Sequence, residues 1–223
     1  QKALNCARFF KTAPGQYGAG DIFIGVTVPE QRKIARQFHN APLTDLHRLL
    51  QSKIHEHRLT ALYILVLQFQ KALKNDEMSL AQNLYQFYLD HTACIHNWDL
   101  VDASAPYIVG GWLVNQPIKE RRILRTFVYS KNLWERRIAI VSTWMLIRNR
   151  QYADTLAIAK ILLRDSHDLI HKATGWMLRE VGKRDQATLL KFLDEHAPVM
   201  PRTALRYAIE KLTPRQRKLY LAK

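Results

Sequence analysis

Cysteine is scarce in this chain of 223 residues, which has only Cys6 and Cys94. Neither belongs to a CxxC pair or to a Cys/His cluster with the spacing of zinc ligands. The sequence therefore predicts neither a disulfide framework nor a structural zinc site. Two isolated cysteines are typical of a reducing compartment, and we expect the protein to be cytoplasmic.

Long hydrophobic runs are also lacking. The longest apolar stretches, such as residues 138–147, are far shorter than the roughly 20 residues that cross a bilayer. The first residues do not have the basic-then-apolar pattern of a signal segment, so we expect none. We therefore expect no membrane partner. Hydrophobic residues still make up 48% of the chain, which excludes a disordered protein and allows a sizeable core. We expect a single domain over residues 1–223.

Glycine and proline are sparse, with eight of each, and runs of alternating apolar residues that would indicate strands are missing. Apolar residues instead recur every three or four positions, as on one face of a helix. This spacing predicts helices over residues 43–52, 57–73, 79–91 and 153–165, joined by short breaks. The sequence therefore predicts an all-α fold.

Four of the helical segments begin alike, with a basic residue or histidine followed by apolar residues. They start at Arg58, Arg136, His171 and Arg202, at intervals of 78, 35 and 31 residues. A helix over residues 101–113 would be the intervening member of the first interval. Helix pairs that recur with periods in the thirties favour a HEAT-like helical-repeat α-solenoid over a plain helical bundle.

Negative charge is in short supply, with 19 acidic residues against 34 Lys and Arg, for a net charge of +15. Such an excess predicts association with a polyanion. A nucleic acid is favoured as the partner over an acidic protein or an anionic membrane.

The segment NWDLVD, residues 97–102, contains two carboxylates and a tryptophan. Trp98 and Asp102 are four residues apart and share one face of a continuous helix. On these six residues alone a structural role is favoured, with Asp99 as the helix N-cap. A metal site is disfavoured because no His or further acid lies nearby at ligand spacing.

A second tryptophan lies among cations in HKATGWMLREVGKRD, residues 171–185. Helical spacing places Lys172, Trp176, Arg179 and Lys183 on one stripe. Apolar neighbours elsewhere on this helix would supply the core. The stripe is either an exposed tryptophan with stacked cations or a surface that binds phosphate and a sugar or base.

Arg136 and Arg137 follow Trp134 at the start of an otherwise apolar helix, a place where a phosphate could be bound. The alternative is that Trp134 is a core residue and that one arginine pairs with a nearby glutamate. No P-loop, GxGxxG, HExxH or GxSxG motif is present, so a cofactor enzyme or one with a nucleophilic serine has no support. We expect neither a cofactor nor a metal.

The chain resembles the AlkD family of alkylpurine DNA glycosylases. The resemblance rests on NWDLVDASAPYIVG (97–110), NLWERRIAIV (132–141) and HKATGWMLREVGK (171–183), in that order and at those separations. IFIGVTVPEQRKIAR (22–36) and RTALRYAIEKL (202–212) are also similar to the family. The similarity covers nearly the whole chain.

The resemblance implies a HEAT-like solenoid whose concave basic face holds duplex DNA containing alkylated purines. It implies an enzyme that hydrolyses the N-glycosidic bond of N3- or N7-alkylated purines, without metal or cofactor. We expect the protein to be monomeric. Asp102 would be the catalytic carboxylate, Trp98 and Trp176 would flank the lesion deoxyribose, and Arg137 would hold the backbone. Phe9 falls where the family has a tyrosine, so this sequence lacks that hydroxyl.

Two other functions remain open at this stage. A non-catalytic solenoid that binds branched or bent DNA would keep the basic surface without excising a base. A protein-interaction scaffold, as many HEAT arrays are, would not need the high positive charge.

Overall fold

The computed structural model describes residues 1–222, so Lys223, the last residue of the expected domain, lies outside the described part. Within residues 1–222 the chain is all-α, as the sequence predicts, and its only β-type pairing is an isolated bridge between Ile22 and Ile54. None of the helices in this range is long and apolar enough to cross a membrane. Backbone contacts divide the chain into two compact units, residues 1–112 and 113–223. A single domain therefore remains a prediction.

The first unit is organised around one long helix. Its elements are α1 (Lys2–Phe9), α2 (Val28–Gln37), α3 (Leu43–Leu50), α4 (His55–Lys74), α5 (Met78–Asp90), a 3₁₀ turn (Thr92–Cys94), α6 (Trp98–Ser104) and all but the last residue of α7 (Val109–Leu113). Helix α4 packs against α2, α3, α5 and α6. Leu62, Leu65 and Phe69 of α4 are almost fully buried, because they face helices on several sides. Helix α4 is thus the core of the unit.

Helix α2 has a well-defined beginning. The backbone amide and the hydroxyl of Thr27 both donate to the Glu30 carboxylate, which closes a capping box with the Thr27 side chain. The bond from the Thr27 amide satisfies a donor that a helix start otherwise leaves unpaired. The start of α2 determines the position of the two arginines that follow on the same helix, Arg32 and Arg36.

The second unit continues the pattern of packed helices. Its elements are a 3₁₀ turn (Ile118–Arg121), α8 (Arg122–Val128), α9 (Leu133–Arg148), α10 (Ala153–Leu162), α11 (Asp168–Gly182), α12 (Gln186–His196), a 3₁₀ turn (Ala197–Val199), α13 (Arg202–Ala208) and α14 (Pro214–Ala222). Helix α9 packs on α8, α10 and α11, and α11 packs on α10, α12 and α13. Every residue from 137 to 143 in α9 is buried, as expected of an inner helix of a helical repeat.

The expectation of one helix over residues 101–113 is wrong. Helix α6 ends at Ser104, a turn occupies residues 105–108, and α7 begins at Val109. Pro106 explains the break, because it has no amide hydrogen to donate to the preceding turn of helix. The amides of Tyr107 and Ile108 both donate to the Ser104 carbonyl instead.

The basic residues that begin the four repeated segments have structural partners. Each forms a hydrogen bond from the start of its helix to a neighbouring segment. The bonds run from Arg58 to Asp21, from Arg136 to Asp165, from His171 to the carbonyl of Asp165, and from Arg202 to the carbonyl of Leu221. The repeated basic positions therefore join neighbouring segments within each unit.

Gly175 allows α11 and α13 to approach closely, and Gly175→Ala should lower the free energy of unfolding by about 1–3 kcal/mol, the usual cost of overpacking. A Cβ at this position would lie 2.4 Å from the Ala204 backbone oxygen and 2.5 Å from the Tyr207 Cβ. Urea unfolding measures the effect.

Gly182→Ala is the control on the same helix. Its added methyl carbon would lie 2.3 Å from the Leu189 Cδ2, which is the end of a side chain and not backbone. We therefore expect a smaller loss of stability. Equal stability of Gly175→Ala and the wild type would contradict close backbone packing of α11 on α13.

Candidate active site

Helix α6 contains the tryptophan and the carboxylate that the sequence singled out. Trp98 is its first residue and Asp102 lies one turn later, so the expected shared helix is confirmed. The expected cap is wrong: the N-cap is Asn97, whose side-chain oxygen accepts from the Trp98 amide at 2.8 Å. Asp99 lies in the first turn, where its carboxylate accepts from the Leu100 amide and from His55.

Trp98 belongs to an aromatic group at the start of α6. Its ring stacks on Phe10, with centroids 5.2 Å apart and planes at 18°. Phe9 meets Trp98 edge to face at 5.8 Å and is 65% exposed. The structure thus brings together two of the residues proposed from the sequence, Phe9 and Trp98, on an accessible part of the first unit.

Asp102 lines an open cleft of about 380 Å³ formed by α2, α4 and the segment from α6 to the following turn. We call this the Asp102 cleft. Its polar lining consists of one carboxylate, two guanidinium groups, two phenols and an amide, and its apolar lining comes mainly from α4. The lining residues are Arg32, Ala35, Arg36, Tyr63, Val66, Leu67, Gln70, Asp102, Ala103 and Tyr107.

The arginines and tyrosines give the Asp102 cleft a distinct electrostatic character. The Arg32 guanidinium lies 5.2 Å from the centre of the Tyr63 ring, within the range of a cation–π interaction. Burial raises the pKa of Tyr63, and the adjacent Arg32 only partly offsets this, so the phenol is neutral. Both arginines are exposed and lie one helical turn apart. A negatively charged backbone entering the cleft would therefore meet two cations beside one carboxylate.

Four ionisable side chains form a largely buried group beside the first turn of α6. We call this group, Asp21, His55, Arg58 and Asp99, the His55 cluster. His55 lies between the carboxylates of Asp21 and Asp99, with its Nδ1 at 2.9 Å and its Nε2 at 2.8 Å. Arg58 donates to the other oxygen of Asp21 at 2.6 Å. The cluster joins the loop containing Asp21, helix α4 and helix α6.

Asp21 is the best-paired carboxylate of the His55 cluster. Burial by itself raises its pKa, but the hydrogen bond from His55, the charge of Arg58 and a hydrogen bond from Asn97 outweigh burial and lower the pKa to about 2. The Asn97 amide reaches Asp21 at 3.2 Å, so the N-cap of α6 is itself tied to the cluster. Among residues 1–222, no group of three or more His, Cys, Asp or Glu is arranged to hold a metal ion.

In the second unit, the stripe predicted around Trp176 lies on α11, with Lys183 as the C-cap residue. Trp176 is half-buried, while its neighbours Met177, Leu178 and Val181 are fully buried and form the core, as expected. Each cation of the stripe pairs with a carboxylate: Lys172 with Asp168, Arg179 with Glu210, and Lys183 with Glu180. The Lys172–Asp168 pair is exposed and contributes at most about 1 kcal/mol, whereas Lys183 pairs with a largely buried carboxylate.

Arg137 lies within α9 and is only 5% exposed. One of its terminal nitrogens donates to the Leu169 carbonyl at 2.6 Å. Trp134 is buried, which confirms the core alternative for that tryptophan. Arg136 pairs with Asp165 at 2.6 Å.

Reasoning from the sequence missed the arginines and tyrosines of the Asp102 cleft. It also missed the His55 cluster as a group, because it singled out Arg58 only as the start of a repeated segment and Asp99 only as a cap. A signal for the first group exists, because Arg32 and Arg36 are four residues apart on an amphipathic helix. No comparable local signal exists for Asp21 and His55, which are 34 residues apart.

Comparisons with known proteins agree with this fold. A family model described as DNA alkylation repair enzyme matches residues 1–212. Among solved structures, a predicted DNA alkylation repair enzyme from Enterococcus faecalis is similar, with 19% identity and a TM-score of 0.72 over 96% of this chain and 95% of that chain. No curated protein matches. The chain belongs to the DNA alkylation repair enzyme family.

Proposed function

We propose that this protein is a DNA glycosylase that hydrolyses the N-glycosidic bond of cationic N3- or N7-alkylated purines in duplex DNA. The observation that carries the proposal is the placement of Asp102 in an open cleft beside two arginines, on the same short helix as Trp98. Family membership and the net charge of +15 support a DNA substrate.

The chemistry suits a single carboxylate. A purine that carries a positive charge is already a good leaving group, so its departure needs little acid catalysis. As the bond breaks, the deoxyribose develops oxocarbenium character, and a carboxylate stabilises that cation and orients the attacking water. We assign this role to Asp102. Arg32 and Arg36 would then hold the phosphates of the same strand.

Aromatic faces are the second element of the proposal. Trp98, with Phe9 at its edge, would form an apolar wall against the sugar, because the negative face of an indole favours a developing cation. The hydroxyl that the family has at the position of Phe9 is not needed for stacking. We assign to Phe9 a stacking role only.

The second unit would supply further DNA contacts. From the family resemblance we assign Trp176 to the sugar and Arg137 to the backbone, with Lys172, Arg179 and Lys183 as phosphate-binding cations. These residues are expected to affect DNA affinity and its salt dependence, because each phosphate contact releases counterions.

Release of 3-methyladenine or 7-methylguanine from methylated duplex DNA tests the proposal. We expect the purified protein to release free base without cleaving the strand and without added metal, as measured by chromatography of the soluble fraction. Unmethylated DNA of the same sequence is the control and should release nothing.

Absence of base release above the background rate would contradict the proposed function. If binding to DNA stayed strong and sensitive to salt in that case, a non-catalytic DNA-binding protein would be the correct assignment. Weak, salt-insensitive binding would instead indicate a protein scaffold.

A further inference from the structure

His55 occupies an unusual position for a histidine. It is 1% exposed, and each of its two ring nitrogens faces a carboxylate oxygen. A neutral imidazole has one N–H and one lone pair, so it can donate to only one of the two. A lone pair directed at the second carboxylate would be repelled. When both carboxylates are ionised, the geometry therefore favours protonation of both nitrogens, although the Arg58 guanidinium also lies 3.5 Å from Nδ1.

The charges around the ring are consistent with an imidazolium. Burial by itself lowers the pKa of His55, but the hydrogen bonds to Asp21 and Asp99 outweigh burial and raise it. Arg58 supplies the other positive charge, so the His55 cluster holds two cations and two anions. His96 also lies nearby, and burial together with the charge of Arg58 lowers its pKa, which keeps that ring neutral.

Aromatic contacts also connect the His55 ring to Trp98. Phe23 stacks on His55 with centroids 4.5 Å apart, and the Phe10 ring lies 5.0 Å from His55 and 5.2 Å from Trp98. Aromatic faces stabilise a cation. A charged His55 thus favours the position of Phe10, on which the Trp98 ring stacks.

Helix α6 depends on such contacts because it has only seven residues. A helix of this length is not stable in isolation, and tertiary contacts must hold it. Asp99 lies next to Trp98 in the sequence and one helical turn before Asp102. The hydrogen bond from His55 to Asp99 therefore holds α6 at a point between Trp98, which we assign to the sugar wall, and Asp102, which we assign as the catalytic carboxylate.

We propose that His55, as a buried imidazolium, is a positioning residue that holds α6 so that Trp98 and Asp102 keep their geometry toward the substrate. This proposal rests on the proposed glycosylase function for its kinetic consequence. It does not place His55 in contact with DNA. The residue acts through Asp99 and through Phe10.

The kinetic test compares His55→Gln with His57→Gln, a control on the same helix whose ring meets Ser52. We expect His55→Gln to slow single-turnover release of 7-methylguanine by about 10–100-fold, because small displacements of a catalytic group are costly. DNA affinity should change by less than about threefold. His57→Gln should leave both quantities nearly unchanged.

The pH profile separates positioning from a general loss of structure. In the wild type, the excision rate should fall as pH rises through the raised pKa of His55, because the imidazolium loses a proton. His55→Gln should lack this fall. Equal losses of rate and affinity, or an excision rate like that of the wild type, would overturn the proposal.

NMR tests the proposal without reference to activity. In the DNA-free wild type, both ring nitrogens of His55 should remain protonated to a higher pH than those of an ordinary histidine, because its pKa is raised. The Trp98 indole resonance should shift in His55→Gln and not in His57→Gln. A His55 ring that loses a proton at or below the ordinary pKa of histidine, or an unchanged Trp98 signal, would overturn the positioning role, whereas an inactive wild type would overturn the proposed function.

Discussion

Replacement of Asp102 by Asn is expected to slow single-turnover base release from methylated duplex DNA by about a thousandfold. A carboxylate about 4 Å from the developing sugar cation, at an effective dielectric constant near 20, contributes about 4 kcal/mol. Asparagine has nearly the same shape but no charge, so the stabilisation is lost while the cleft keeps its form. DNA affinity should be unchanged or slightly higher, because one negative charge is removed from a cleft that also contains Arg32 and Arg36.

Asp90→Asn is the matched control for this experiment. Asp90 ends α5 in the same unit and is exposed, and its carboxylate accepts only a surface hydrogen bond from Gln86. The Asp90→Asn substitution makes the same change of charge and shape as Asp102→Asn. The excision rate of the Asp90→Asn variant should nevertheless stay within about threefold of the wild-type rate. An Asp102→Asn rate in that same range would show that the catalytic carboxylate is not Asp102.

Much of the fold could be predicted from the sequence because helical periodicity is a local property. The apolar spacing of α4, α5 and α10 predicts these helices to within a few residues of their observed bounds. The break between α6 and α7 was missed, although Pro106 marks it, because apolar residues continue at helical spacing on both sides. Family membership, suggested by the three Trp-containing segments, is confirmed by the match over residues 1–212.

The surroundings of the site were less predictable, for a physical reason. Periodicity shows which residues are buried on a helix, but it does not show which polar residues meet across the fold. His55 bonds to residues 34 positions before it and 44 positions after it. Without knowledge of its partner His55, Asp99 could be interpreted from the local sequence only as a helix cap. Asn97, a preferred N-cap residue, was the local signal that should have been recognised.

Replacement of Asp21 by Asn is expected to lower the free energy of unfolding by about 3–5 kcal/mol, the usual effect of removing one partner of a buried ion pair. The side chains of Asp21 and Arg58 are each only 1% exposed and lie 2.6 Å apart. Without the carboxylate, the Arg58 guanidinium stays buried without its anion, and the single amide oxygen of asparagine replaces the two acceptors that serve Arg58 and His55. Urea unfolding near neutral pH measures the change.

Asp45→Asn provides the surface control. Asp45 pairs with Arg48 at 3.7 Å with both side chains largely exposed, so the loss should stay below about 1 kcal/mol. The double variant Asp21→Asn/Arg58→Met should recover part of the stability that Asp21→Asn loses, because the unpaired buried cation is then gone. If Asp21→Asn were no more destabilising than Asp45→Asn, the His55 cluster would not contribute to stability.

The pH dependence of this loss tests the same carboxylate. The pKa of Asp21 is about 2 in the folded protein, against an ordinary value of 3.8. A group whose pKa is lowered by folding stabilises the protein above its ordinary pKa, and that contribution is lost as pH falls through the folded value. Well below the ordinary pKa of histidine, 6.5, the stability difference between wild type and Asp21→Asn should therefore stay nearly constant down to the ordinary value of Asp21 and shrink below it. Nearer neutral pH the difference also varies with the titration of His55, whose pKa Asp21 helps to raise. A difference that instead disappeared between neutral pH and the ordinary value would contradict the lowered pKa of Asp21.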